Sequence, residues 1–285
     1  MHSVHLKSYC KVNLTLRVIK KLKTGLHDIR SFIALCEPHD DLYISNNIQK
    51  KDLIIFLGKF KKKISTKNTI SNTLTLLRKR GIITKRFYRI KIYKNIPHGA
   101  GLGGGSSNAA VLLDYLIKKS NYRLQKNTIL NLAEKIGSDV PIILSQLRNL
   151  KYKNQNFIYL KKKNQLHLLL AFPKINLSTK KVYHENKNFS KNRKYFNLKL
   201  NGTTNVIKYL KQERNDLQNI VIKKKPIIAR ILKDISKIEG CHFSRMTGSG
   251  STCIGVFSSK KTCNLGKKLI KKKFPKIWIA TSKTI

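Results

Sequence analysis

Apolar and polar side chains alternate over residues 10–18, with Cys10, Val12, Leu14, Leu16 and Val18 set against Lys11, Asn13, Thr15 and Arg17. A period of two marks a strand with one buried face, here spanning about residues 4–19. "FYRIKIYKNIP" (87–97) alternates in the same way, and "DDLYISN" and "DLIIFLG" predict two further short strands. "TGLHDIRS" (24–31) reads as a turn. Helical spacing appears over 68–81, opened by Asn68 as a candidate cap and stopped by Gly81. A second helix starts at Ser106 or Ser107 and runs to about 119, and a third covers 126–137.

The later chain predicts loops and short helices over 185–215, then a helix over 217–237. A strand–turn–strand around "CHFSRMTGSGSTCIGVF", a helix over 259–272 and a last strand "KIWIATS" follow. Strands and helices in this uneven order indicate an α+β fold rather than a doubly wound sheet. A domain change is placed near residue 155, giving domains 1–155 and 156–285.

With 41% hydrophobic residues the 285-residue chain can bury a core without staples. Its five cysteines (Cys10, Cys36, Cys241, Cys253, Cys263) show no CxxC or zinc-like spacing, which suggests a reducing compartment. No run approaches the ~20 apolar residues of a membrane span, so the chain is expected to be soluble and cytoplasmic. Charge changes the picture more. Lys and Arg total 60 against 13 Asp and Glu, a formal net charge of +47. One reading is a nucleic-acid or anionic-membrane partner; the other is compositional drift. Drift is preferred, because lysine dominates and its runs (61–63, 161–163, 223–225, 271–273) are spread over the chain without an RNA-binding aromatic signature. Either way the field attracts polyphosphates.

The segment "NIPHGAGLGGGSSNAAVLLDYL" stands apart, with five glycines in seven residues (99–105) ahead of a helix. Glycines let backbone N–H groups approach a ligand, and a helix start adds free N–H groups and a positive dipole end. Strand, glycine loop and helix start together form an anion cradle; a plain tight turn would not require so costly a backbone. "GAGLGG" matches G-x-G-x-x-G, but residues 118–125 lack the acidic residue of a dinucleotide fold. No Gly-Lys-Ser or Gly-Lys-Thr supports a P-loop, and neither H-R-D nor D-F-G supports a protein kinase.

Phosphoryl transfer to an alcohol needs a base for the hydroxyl and positive charge at the moving phosphoryl group. Asp139, between Gly137 and Pro141, is a candidate base, and Lys11 in its apolar strand a candidate partner. On the residues alone the preferred reading is that Asp139 is a helix cap or surface aspartate and Lys11 a lysine reaching out from a strand edge.

The loop from Pro97 to Ala110 resembles that of the GHMP small-molecule kinases, in its GLGGGSS version. "SYCKVNLTLRV" is similar to the family's opening S-x-A-K-x-N-L-x-L-x-V, and "TGLHDIRS" to its D-G-Y-H turn. "IGSDVPII" resembles its L-G-[AS]-D-V-P-F block, "RNDLQNIV" its N-D-L-E, and "SRMTGSGSTCIGVF" its C-terminal glycine segment. The resemblance implies a two-domain α+β fold. Its N-terminal, ATP-binding domain would be like the second domain of ribosomal protein S5, and its C-terminal domain ferredoxin-like, with the sites in the cleft between them. It implies ATP, with Mg²⁺ as the ATP complex, on Pro97, His98, Gly99, Ala100, Gly101, Leu102, Gly103, Gly104, Gly105, Ser106, Ser107 and Asn108. Adenine would lie near residues 94–97 and Asn68. It makes Asp139 the base and Lys11 its assistant, and gives a cytidine diphosphate substrate to Asn13, His27, Tyr183, Gly248, Ser249 and Gly250.

The acceptor implied is the 2-hydroxyl of 4-diphosphocytidyl-2-C-methyl-D-erythritol. No dedicated metal ligands, no membrane and no nucleic-acid partner are expected, and the state is a monomer or weak homodimer. Three features depart from the pattern: Leu26 replaces the usual tyrosine, His98 is unusual, and residues 145–158 lack the glycine-rich run. The alternatives are another GHMP kinase with a different alcohol, or a basic nucleic-acid-binding protein on the same scaffold.

Overall fold

The long opening alternation forms two strands rather than one: β1 (Val4–Asn13) and β2 (Arg17–Lys21). They are interrupted because Leu14 N–H bonds to Phe32 O while Leu16 N–H turns to Arg214 O. The predicted turn over 24–31 shrinks to a tight connection closed by Leu22 N–H to Leu26 O. From there β3 (His27–Asn46) runs without a break through the predicted strand "DDLYISN". Residues 30–36 are buried on both faces, so they carry no alternation to reveal a strand. The computed structural model describes residues 3–61, 64–150, 152, 157–160, 164–191 and 202–285.

In chain order there follow β4 (Leu53–Leu57), α1 (Thr69–Lys79), β5 (Tyr88–Tyr93), α2 (Gly104–Lys119), α3 (Lys126–Ile136) and α4 (Val140–Leu147). Then come β6 (Phe157–Tyr159), β7 (His167–Phe172), α5 (Thr179–His184), α6 (Thr203–Gln212), α7 (Gln218–Lys224) and α8 (Pro226–Ser236). The chain ends with β8 (Cys241–Met246), β9 (Cys253–Phe257), α9 (Lys260–Lys273) and β10 (Trp278–Lys283). The helix expected over 217–237 is thus two helices. Pro226 has no N–H to donate and pushes Lys225 to an extended φ of −136°, which breaks the ladder. Within 185–215, residues 192–201 lie outside the described residues, as do the lysine runs at 62–63 and 161–163 and most of 151–156.

Two compact units make up the fold. The first comprises Met1–Lys11, Pro38–His98 and Gly103–Gln155; the second comprises Val12–Glu37, Gly99–Leu102 and Asn156–Ile285. In the first, the strand order is β1-β3-β5-β4, with β3 antiparallel and β4 parallel to β5. Tyr88, Ile90 and Ile92 of β5 are buried, whereas Arg89, Lys91 and Tyr93 point to solvent. Ile70, Leu74 and Leu77 of α1 and Leu112, Leu113 and Leu116 of α2 are buried too.

In the second unit β2 and β6 pair with the first half of β3. A separate antiparallel sheet has the order β10-β7-β9-β8. Its core joins Leu169, Ile228, Ile231, Ile235, Met246 and Phe257 to Leu16 and Val18 from the start of the chain. Cys10, Cys36, Cys253 and Cys263 are buried free thiols, and burial pushes Cys263 up to about 12 and Cys241 to about 11. Thiols so shifted do not form thiolates near neutrality. Among the described residues no helix is long and apolar enough to cross a membrane.

Candidate active site

In the first unit the candidate residues gather around the start of α2. The exit from β5 is anchored by Asp40, a fully buried carboxylate that accepts Asn95 N–H at 2.8 Å and Ile96 N–H at 2.9 Å. The buried Lys94 ammonium donates to the same carboxylate. Ile96, fixed in this way, packs on α2: a Cβ on Gly104 would come within 3.2 Å of its Cγ2. Gly103 forms the N-cap of α2 in the left-handed region (φ +66°) and supplies no side-chain cap. No acidic side chain occupies the first turn. The helix therefore opens with N–H groups and a positive dipole end that no side chain of its own neutralises.

Lys11 lies against this helix start. A Cβ on Gly103 would meet Lys11 Cε at 3.3 Å, so glycine is needed there for the lysine to pass as well as for the backbone angle. Lys11 Nζ pairs with Asp139 Oδ2 at 3.1 Å; the lysine side chain is 5% exposed and the aspartate 35%. Asp139 occupies the N-cap position of α4, yet its side chain makes no capping bond. Lys11 does not reach out to solvent either. The carboxylate thus faces a cation and keeps part of its surface open to solvent.

Three further residues belong to the same end of α2. Ser107 Oγ donates to Tyr9 O at 2.6 Å, tying the helix to β1, so its proton is committed to the fold. Ser106 remains partly exposed. Asn108 is buried, and its Oδ1 has no hydrogen-bond partner, an arrangement that calls for a ligand or solvent donor. Gly105 is exposed, and a Cβ there would find only Thr69 Oγ1 at 3.6 Å, an ordinary contact. Among the described residues, no contact demands glycine at 105. Asn68 caps α1, as the sequence indicated: its Oδ1 accepts Ile70 and Ser71 N–H, and its Nδ2 donates to the Ser65 and Thr66 carbonyls.

The second unit holds the first half of the loop and the second glycine turn. Gly101 runs so close to the backbone that a Cβ would sit 2.6 Å from Gly250 O. Thr252 Oγ1 donates to Ala100 O at 2.6 Å. Asn13 N–H donates to Thr247 Oγ1 at 2.7 Å, and Asn13 Nδ2 to Ser31 Oγ at 2.7 Å. Gly248 fits against Asn13 Oδ1. Asn215 Nδ2 donates to Met246 O at 2.7 Å and Gly248 O at 2.8 Å, bracing the turn, while Ser249 shares a hydrogen bond with Thr179.

His27 and Tyr183 form a tilted ring pair with centroids 5.2 Å apart. Burial, helped by Lys21 and His184, lowers the His27 pKa and favours the neutral ring. Leu26 beside it is 62% exposed and adds no ring. Pro97 and Leu102 are buried, whereas His98 and Gly99 are exposed.

The structure thus brings Lys11 to Asp139 and Gly103, Gly101 to Gly250, Asn13 to Gly248, and His27 to Tyr183. Asp40 was invisible in the sequence because its partners lie more than fifty residues away. Asn215 was within reach, since it sits in the "RNDLQNIV" segment.

"GHMP kinases N terminal domain" matches residues 68–146, and "GHMP kinases C terminal" matches 198–274. A 4-diphosphocytidyl-2-C-methyl-D-erythritol kinase of Pelagibacter ubique (strain HTCC1062) is 37% identical over 285 residues, covering 100% of both chains. One from Wolbachia sp. subsp. Brugia malayi (strain TRS) is 30% identical over 295 residues, again over the full length of both. Among solved structures, a 4-(cytidine 5'-diphospho)-2C-methyl-D-erythritol kinase superposes with TM-score 0.75 at 21% identity, over 98% of this chain and 99% of that one. Homoserine kinase from Cytophaga hutchinsonii gives TM-score 0.70 at 14% identity, covering 100% and 95%. With both domain matches in order and full-length relatives above 30% identity, the chain belongs to the GHMP kinase family.

Proposed function

We propose that this kinase transfers the terminal phosphoryl group of ATP to the 2-hydroxyl of 4-diphosphocytidyl-2-C-methyl-D-erythritol, a step of the non-mevalonate route to isopentenyl diphosphate. The observation that carries the reading is the Lys11–Asp139 pair at the uncapped start of α2. Full-length relatives that bear this activity in their names supply the substrate.

The chemistry follows from charge. The N–H groups of 104–106 and the dipole of α2 hold phosphate oxygens, and the open face of Gly105 leaves room for them. Asp139 accepts the proton of the acceptor hydroxyl as its oxygen bonds to the γ-phosphorus and the β–γ bridging bond breaks, releasing ADP. Lys11 keeps Asp139 anionic and offsets charge on the moving phosphoryl group. Where Mg²⁺ accompanies ATP, the partly exposed Ser106 at the start of α2 would be the side-chain oxygen to hold it, and the ion would neutralise phosphate charge. Neutral His27 can offer one ring nitrogen as donor and the other as acceptor to the cytosine edge, with Tyr183 against the ring. The family resemblance gives Asn13 and the turn at 248–250 to the substrate, and the Asn13 N–H to Thr247 bond holds the two together.

An ADP-release assay with the cytidine substrate, mevalonate and homoserine tests the reading. Turnover of the first alone is expected. Faster turnover of either other alcohol would reassign the substrate, and none with any of them would remove the proposal.

A further inference from the structure

The outward face of the first unit's sheet plays no part in the site described above. Residues directly opposite in a sheet project from the same face, and here Tyr43 lies opposite Lys91, Ser45 opposite Arg89 and Asp41 opposite Tyr93. Arg89, Lys91 and Tyr93 are all exposed. Rings are ordered across this face: His5 stacks on Tyr43 at 4.6 Å and 8°, and Tyr43 meets Tyr93 edge-on at 5.7 Å. Beside them lies an open concavity of about 630 Å³, lined by Tyr43, Ser45, Asn47, Arg89, Lys91 and Tyr93, with no carboxylate in its lining.

We propose that this face of β3 and β5 binds single-stranded nucleic acid, with bases on the Tyr93, Tyr43 and His5 rings and phosphates on Arg89 and Lys91. Ordered rings next to cations are what a base and its phosphate require, and every base has a face that can stack. Arg89 and Lys91 have no ion-pair partner among the described residues, so their charge is available. The nearby carboxylate, Asp41, is engaged by His5 at 2.7 Å and Asn95 at 3.1 Å. The chain's +47 charge favours a polyanion and disfavours a second copy of the chain, which would bring the same positive face against itself. Charge alone was set aside in the sequence as drift; the arrangement of rings and cations on one sheet face is what the linear pattern could not display.

Fluorescence anisotropy with a labelled oligouridylate, read against salt, tests this on the full chain. Tyr43→Ala with Tyr93→Ala should weaken binding about 10-fold or more, one lost stack being sufficient. Tyr93→Phe should retain affinity. Arg89→Gln with Lys91→Gln should reduce the log–log salt slope by about 1.4, the share of two phosphate contacts. Unchanged ADP release in each variant shows an intact fold, and if the double tyrosine variant fails to fold, the exposed Tyr93→Ala carries the test. Absence of binding overturns the proposal. So does binding indifferent to ring removal and displaced equally by inorganic polyphosphate, or a preference for phosphatidylserine vesicles.

Discussion

Helices α1 and α2 both belong to the first unit and both follow a loop, yet they begin in opposite ways. Asn68 and Ser71 close α1 with a capping box, bonding the helix N–H groups and their own backbone reciprocally. Gly103 closes α2 with nothing, and Lys11 lies where a cap side chain would stand. A cap side chain would stabilise α2 by about 1 kcal/mol. Its absence leaves unpaired N–H groups beside a cation and a carboxylate, so the less stable start is the one to which the proposed chemistry is assigned.

Changes on either side should break this contrast in graded steps. Asp139→Asn is expected to lower kcat by about 10³-fold with a smaller loss of stability than Asp40→Asn, since it removes the partner of the buried Lys11 but is itself 35% exposed and caps nothing; single-turnover ADP release and calorimetry would show both. Asp40→Asn leaves the Lys94 ammonium buried without its counter-charge and should destabilise the protein by about 3–5 kcal/mol, measured by urea unfolding. Restoration of normal stability by the double change Asp40→Asn with Lys94→Met would confirm that the loss lies in the unpaired charge.

Gly105→Asp sharpens the comparison directly. A carboxylate in the first turn should stabilise α2 by about 0.3–1 kcal/mol and raise the KM for ATP by roughly 10-fold through repulsion of phosphate. Asn68→Ala should do the reverse, with about 1 kcal/mol of stability lost and a far smaller change in KM for ATP. Equal effects of the two on ATP would mean that α1 and α2 do not differ in function.

The smallest effect concerns His27. Its folded pKa is lowered below the ordinary 6.5, so the unfolded chain binds the extra proton first and stability declines as pH falls through and below 6.5. His27→Gln should flatten that part of the stability–pH curve, as followed by thermal melts between mildly acidic and neutral buffers.

Local chemistry was legible wherever sequence neighbours settle it. The alternation of β5, the Asn68 start of α1 and the glycine loop each declare themselves within a few residues. The 20-residue β3 did not, because residues 30–36 are buried on both sides and lose the period that marks a strand. Likewise Pro226 was passed over inside a run that keeps helical spacing on either side of it.

By itself the sequence determined the fold class, the family's order of motifs and the placement of flexible backbone ahead of α2. These depend on residue types and spacing, which a linear chain carries in full. Only the tertiary structure decided that Lys11 threads past Gly103 to Asp139, that Asp40 holds the backbone leading into the loop, and that Tyr43, Tyr93, Arg89 and Lys91 share one face. Those relations join residues scores of positions apart, and a charge acquires its role from what stands within a few ångströms of it, not from its neighbours along the chain.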